Sequence, residues 1–354
     1  MLNSLCARRG VLVVALATAL VACGGKPAEP STAAPSSAAP TAAVDAATGA
    51  ALPQGWLRVA GTDVPARAGL VPVLPATVTS DDGETVTVRD TARIVAGGDD
   101  VIAVIEALGM GSQVYAAPLR SATEAGRKAP KQFLFNRTTG VEGVLSLEGT
   151  LFLGNSLRRH TELAKKLRGA GEAAVVIDDL QPAPDKVRKV AAALGVAEAG
   201  QQLAAQVQVQ LDEAAAIAAG SRVHPRVIHL SATGAGGAPT VAGADSASGK
   251  LVALAGGINI GTEAGVANYS ALSNEGVVAA APDVILVTEN DLQLFGGEAG
   301  VWKAYPTLKQ TPAGAANRVW VMPDVQLKAA SVGSGSGALA LAKALAALPS
   351  LPSP

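Results

Sequence analysis

Aromatic side chains are scarce in this chain of 354 residues, with three Trp, three Tyr and four Phe. Each exposed ring is therefore a candidate for function. Basic and acidic residues balance, 28 Lys and Arg against 29 Asp and Glu, so the electrostatic footprint of a nucleic-acid binder is missing. Only three histidines are present, His160, His224 and His229. They show no paired spacing and no His-rich loop, which leaves a zinc or manganese site short of converging ligands. No P-loop is found, and the one glycine–serine run, Gly333-Ser334-Gly335-Ser336-Gly337, puts glycine where a nucleophile elbow needs serine. Nothing signals an enzyme. Cysteine occurs twice, as Cys6 and Cys23. Cys6 falls in a leader that processing removes, so the mature chain has no internal disulfide and is held by packing alone.

What the chain has in quantity is apolar residues, 49% of the total, enough for one or two sizeable cores. The N-terminus carries Arg8-Arg9 followed by an apolar run from Val11 to Val21. That run is too short for a permanent span and fits the h-region of a secretory signal. Leu20-Val21-Ala22-Cys23 resembles the lipobox of bacterial lipoproteins. The resemblance implies cleavage after residue 22, a lipid-modified Cys23 and an extracytoplasmic protein, in the periplasm or on the outer surface, anchored to a membrane. Residues 23–55, rich in Ala, Pro, Ser and Thr, read as a flexible tether that cannot bury enough surface to order itself.

Beyond the tether, Thr77 to Val88 alternates β-branched and polar residues around Asp82-Gly83, a hairpin signal. From Gly97 strands and helices alternate, which predicts a largely parallel sheet flanked by helices. Asp100 is placed to cap the first of these helices. One phrase occurs twice. Val141-Glu142-Gly143-Val144-Leu145 leads into Leu151-Phe152-Leu153, and Asn274-Glu275-Gly276-Val277-Val278 leads into Val284-Ile285-Leu286. In each copy Glu-Gly opens a short apolar helix that turns into a buried strand. The recurrence predicts two similarly built α/β lobes, an N-terminal one over residues 56–183 and a C-terminal one over residues 221–354. Residues 184–220 between them are helix formers without a late proline, and Ala197 to Ala219 predicts one long helix, roughly 30 Å at 1.5 Å per residue. A rod of that kind braces the lobes and limits hinge motion.

At this point the residues resemble a known family. Arg93-Ile94-Val95, Ala107-Leu108-Gly109-Met110-Gly111, the Glu142 phrase and Ala281-Pro282-Asp283-Val284-Ile285 resemble ABC-transporter binding proteins of the helical-backbone, metal-chelate class. Thr240-Val241-Ala242-Gly243-Ala244-Asp245, Leu254-Ala255-Gly256-Gly257-Ile258-Asn259 and Gln310-Thr311-Pro312 resemble its heme-binding members. The likeness runs from about Leu74 to Ala347. It implies two Rossmann-like lobes on one backbone helix, with the ligand between them. It also implies a monomer that delivers heme, as cargo and not as a resident cofactor, to a membrane permease driven by a separate ATPase subunit. An Fe(III)-siderophore or a corrinoid would suit the same architecture.

The resemblance also distributes roles. Glu142 and Glu275 match the glutamates that seat against permease arginines, although each also sits where a carboxylate favours a helix start, Glu142 in the capping-box pattern Thr139-x-x-Glu142. Tyr269 matches a cleft tyrosine that ligates iron in some heme binders, a role that suits a phenolate as a hard anion for Fe(III). Arg137 matches an arginine found near the bound ligand. His160 follows the first repeated unit, where loops line the cleft, and is a candidate ligand residue; as a solvated histidine at a helix start it would have no such role. Arg158 and Arg159 beside it suit anionic groups. Tyr115 and Tyr305 read as packing residues, and His229 as a satisfied core residue. The stretch around Thr123, where many heme binders carry a tyrosine, has none.

Overall fold

A computed structural model describes residues 52–134 and 140–349. The leader, Cys23, most of the tether, Thr139 and Arg137 lie outside them. The first strand, β1 (Leu57–Arg58), pairs in parallel with residues 320–321 near the far end of the chain. Leu57 and Arg58 thus belong to the sheet of the C-terminal lobe, and the expectation that the N-terminal lobe starts at residue 56 is corrected for these first described residues. Trp56 explains the placement, since its ring is buried among side chains of the C-terminal core. The hairpin forms as β2 (Ala76–Thr79) and β3 (Thr85–Val88), with Gly83 in the left-handed conformation its turn requires.

The N-terminal lobe runs β4 (Ile94–Ala96), α1 (Asp99–Ala107), β5 (Val114–Pro118), α2 (Glu124–Lys128), β6 (Lys131–Phe133), α3 (Val141–Leu145), β7 (Leu151–Gly154), α4 (Leu157–Gly169) and β8 (Ala174–Val176). Its sheet is parallel throughout, in the order β6-β5-β4-β7-β8. Strands β4, β7 and β8 are fully buried, as parallel strands covered on both faces must be. Two elements of this lobe, α2 and β6, are too short to show in the residue pattern. Helix α1 starts after Gly98 and not at Asp100, whose carboxylate turns inward to a lysine.

Helices α5 (Ala183–Ala193) and α6 (Ala197–Gly220) make the connection. Helix α6 holds 24 residues, about 36 Å at 1.5 Å per residue. Ala199, Leu203 and Ala204 on its first half join the N-terminal core, and Ala214 on its second half joins the C-terminal core. One helix is thereby nailed into both lobes.

The C-terminal lobe runs β9 (Arg226–Ser231), β10 (Thr240–Ala242), α7 (Ala247–Leu254), β11 (Ile258–Asn259), α8 (Ile260–Glu263), β12 (Tyr269–Ser270), α9 (Asn274–Ala279), β13 (Val284–Thr288), α10 (Glu289–Phe295), α11 (Glu298–Ala304), α12 (Pro312–Ala315), β14 (Val319–Met322), α13 (Asp324–Leu327) and α14 (Gly333–Ala346). The sheet order is β1-β14-β13-β9-β10-β12, with β11 also on β9; only β10 runs against its neighbours. The repeated phrase takes one shape in both lobes: α3 leads into β7, and α9 leads into β13. Helix α14 begins at Gly333, five residues before the Ala338 that residue propensity marks. Its glycines are used for close approach: a Cβ on Gly335 would lie 2.9 Å from the Val207 carbonyl oxygen of α6.

Candidate functional site

In both sheets, loops leaving the C-terminal ends of parallel strands face one cavity of about 580 Å³, the place where open α/β sheets bind ligands. The N-terminal lobe contributes the loop after β4 with Asp99 and Asp100, the loop after β7 with Asn155 and Ser156, and Asp179 and Leu180 after β8. The C-terminal lobe contributes Asn268 and Tyr269, Asn290, and Asp324 and Lys328. A gap between the lobes therefore exists, and Tyr269 is on its wall. A neighbouring cavity of about 820 Å³ lies along α1, α2 and the start of α14, and Val325 lines both.

The cavity floor is tied together by charge. Lys186 Nζ lies 2.5 Å from Asp100 Oδ2, and Asn155 Nδ2 donates to Asp100 Oδ1 at 2.8 Å. Ser331, in the segment before α14, donates to the Asp100 carbonyl at 2.6 Å. Lys250 of α7 reaches across to the Leu180 carbonyl at 3.4 Å. These last two contacts join the lobes. Asp99 accepts a hydrogen bond from the Ala122 N–H at 2.8 Å and another from Ser121; burial nevertheless pushes its carboxyl up. Burial likewise raises Asp179 and Asp324. Arg158 and Arg159, in the first turn of α4, are exposed at the cavity.

On the opposite wall Tyr269 is half-buried, and its hydroxyl lies 3.0 Å from Ser248 Oγ. Burial holds this phenol above the ordinary range, against the pull of Lys328. Lys328 Nζ donates to Asp291 Oδ2 at 2.8 Å and to Ser231 Oγ at 3.0 Å. Its desolvation is outweighed by the Asp291 carboxylate, so the ammonium is favoured. Asp291 is desolvated too, yet His229 and Lys328 hold its carboxyl well below the usual carboxylate range.

His160 is neither on the cavity wall nor solvated. It is 1% exposed, its Nδ1 accepts the Asn155 N–H at 3.0 Å, and its ring meets Phe152 edge to face at 5.6 Å. The reading of His160 as a cleft residue, and the alternative of a solvated helix-start histidine, are both corrected. His160 lies on the face of α4 that also buries Leu163, Ala164 and Leu167. Burial, helped by Arg159, lowers its pKa to about 4. His229 is fully buried, as expected, and Tyr305 is a packing residue whose hydroxyl meets the Leu272 N–H at 3.4 Å. Thr123 caps α2 by accepting the Gly126 N–H at 3.1 Å. Residue patterns gave no sign of Ser248, Asp291 or Lys328, whose partners come from distant strands. Among the described residues no group of three or more His, Cys, Asp and Glu could hold a metal ion.

Glu142 and Glu275 are both exposed, each in the first turn of its short helix. Helices α3 and α9 each lead into a buried strand of their own lobe, and neither glutamate is among the residues that line the cavity. Ser273 caps α9 by accepting the Gly276 N–H at 3.0 Å, whereas α3 is preceded by Gly140 with no side-chain cap.

Two lobes on one backbone helix, with a cleft between their strand ends, define a substrate-binding protein of transport. Residues 94–325 match the periplasmic binding protein family, and the chain belongs to that family. Its architecture resembles the periplasmic heme-binding protein RhuT from Roseiflexus sp. RS-1 in apo form, with 34% identity, 72% of this chain and 98% of that one covered, and a TM-score of 0.64. It also resembles the heme-binding protein HmuT (25% identity, 83% and 97% covered, TM-score 0.68). A third likeness is to the periplasmic heme-binding protein HutB of Vibrio cholerae (26%, 72% and 97%, TM-score 0.57). None of the curated proteins compared with the sequence matches it.

Proposed function

We propose that this protein captures heme in the interlobe cleft and hands it to an ABC permease in the membrane. The observation that carries the proposal is the pairing of Tyr269 on one wall with Arg158 and Arg159 on the other, around a single cavity. A phenol suits ferric iron, and guanidinium groups suit the two propionates of a heme. Apolar surface for the ring at the cavity comes from Leu180, which is exposed, and from Val325 and Ala329. The three relatives, each described as heme-binding, support the same ligand.

Arg137 belongs to the proposed site by resemblance alone, while His160 does not. In this reading Glu142 and Glu275 are the docking pair, and Cys23 anchors a monomer extracytoplasmically through lipid. An Fe(III)-siderophore or a corrinoid is the alternative cargo. The test is a titration of the chain from residue 24 onward with hemin. The expected result is a shifted Soret band and a phenolate-to-iron charge-transfer band that Tyr269→Phe removes. Failure of hemin to bind, with tight binding of a siderophore or a corrinoid, would replace the ligand.

A further inference from the structure

The Tyr269 hydroxyl ends on a side chain and not in solvent. Ser248 Oγ, 3.0 Å from it, is 2.8 Å from His229 Nδ1. Ser248 and His229 have no exposed surface at all. His229 Nε2 faces Asp291 Oδ2 at 3.8 Å, an ion-pair distance too long for a hydrogen bond, and Asp291 Oδ2 accepts from Lys328 Nζ at 2.8 Å. Tyr269 and Lys328 line the same cavity. A row of buried polar side chains therefore leaves the cleft at Tyr269, passes through the interior of the C-terminal lobe, and returns to the cleft at Lys328.

A core that needed only to pack would lose little by holding apolar groups of the same shape at Ser248 and His229. The row makes sense by what it does to the phenol. With the Asp291 carboxylate facing Nε2, the proton of neutral His229 belongs on Nε2, an assignment made from the partners. Nδ1 is then an acceptor, and the single proton of Ser248 goes to it. Towards the neutral phenol of the ligand-free protein, Ser248 then accepts. The phenol O–H points inward, and the lone pairs of its oxygen are left on the cleft side. The ring itself is braced edge to face by His229, with centroids 6.2 Å apart and planes at 74°.

We propose that Ser248, fixed by His229, is a positioning residue that aims the Tyr269 oxygen at the iron of the bound ligand; as the oxygen binds iron in its phenolate form, the phenol proton leaves to solvent and the Ser248 hydroxyl turns to donate to that oxygen. The proposal rests on the heme reading and deepens it. A group held in its bound orientation binds more tightly because its ordering cost is met before the ligand arrives.

The experiment compares hemin with metal-free protoporphyrin IX, which has the same ring and propionates and no iron. Ser248→Ala and, separately, His229→Leu should each weaken hemin binding about tenfold, the effect of one well-made hydrogen bond. Protoporphyrin affinity should stay within about twofold of the unaltered protein. His229→Asn, which keeps an amide acceptor near the place of Nδ1, should recover most of the loss. Equal weakening of both porphyrins would mean a merely structural role and overturn the proposal, as would unchanged hemin affinity in Ser248→Ala. Tyr269→Phe separates the two levels. A charge-transfer band that persists without Tyr269 sinks the ligand assignment. A band lost there, with Ser248→Ala behaving as the unaltered protein, sinks only the positioning.

Discussion

Lys186 Nζ sits 2.5 Å from Asp100 Oδ2 with both side chains almost wholly buried, at 1% and 6% exposure. The pair joins α5, the first connecting helix, to the start of α1 at the cavity floor. Asp100 has its second oxygen occupied by Asn155 and its carbonyl by Ser331, so four segments converge on one residue.

Breaking this pair from one side strands a charge in the interior. Lys186→Met should cost about 3–5 kcal/mol, because Asp100 keeps its desolvation penalty and loses its counter-ion. Adding Asp100→Asn to Lys186→Met removes the stranded charge and should recover part of the loss. Urea unfolding of both variants checks this. A double variant less stable than the single one would show that the ion pair is not the main interaction at Asp100.

His160 should make the protein acid-labile. Its folded pKa of about 4 lies below the ordinary 6.5, so between those values the unfolded chain binds the proton and the folded chain does not. Stability from this residue is full above pH 6.5 and falls as pH drops towards 4, by about 3 kcal/mol in all. Unfolding free energies at pH 7 and pH 4.5 should show the drop, and His160→Leu should flatten it. An unchanged slope in that variant would assign the acid sensitivity to other groups.

Glycine in α14 is a packing device. A Cβ on Gly335 would sit 2.6 Å from Gln210 Oε1 and 2.9 Å from the Val207 carbonyl oxygen. Gln210 can swing away, but the α6 backbone cannot. Gly335→Ala should therefore destabilise the protein by about 1–3 kcal/mol even though alanine is the better helix former. A stabilised variant, read by thermal unfolding, would mean that α14 is free to shift away from α6.

The same helix shows where the sequence stopped being legible. Gly333-Ser334-Gly335-Ser336-Gly337 has poor helix propensity and reads as a loop, yet it is helical because α6 and α13 lie against it; tertiary contact overrides local preference. The two-lobe plan was legible because Glu142 and Glu275 open the same short phrase, and the α6 rod because more than twenty residues run without a breaker. Tyr269 is singled out from three tyrosines by the family resemblance of its position before the second phrase, and it does line the cavity. Ser248, His229 and Asp291 were not legible as a set, since α7, β9 and α10 are brought together only by the sheet. His160 was misplaced because sequence shows that a residue is near a helix start but not which way the first turn faces.

Glu142 and Glu275 carry the last prediction. Both are exposed in first turns, and neither forms an ion pair among the described residues. Exposed carboxylates without a partner contribute little to folding, so their removal should leave stability within about 0.5 kcal/mol. As a docking pair on two lobes braced by α6, they would steer encounter with a basic permease surface and fix its register. Glu142→Ala with Glu275→Ala should leave hemin affinity unchanged and abolish heme uptake in cells, whereas either single change should reduce uptake. Uptake through the single variants should also fall further as salt is raised, because the remaining charge is screened within about 10 Å at 0.1 M. Full uptake by the double variant would remove these glutamates from the interface and leave the cleft assignment untouched.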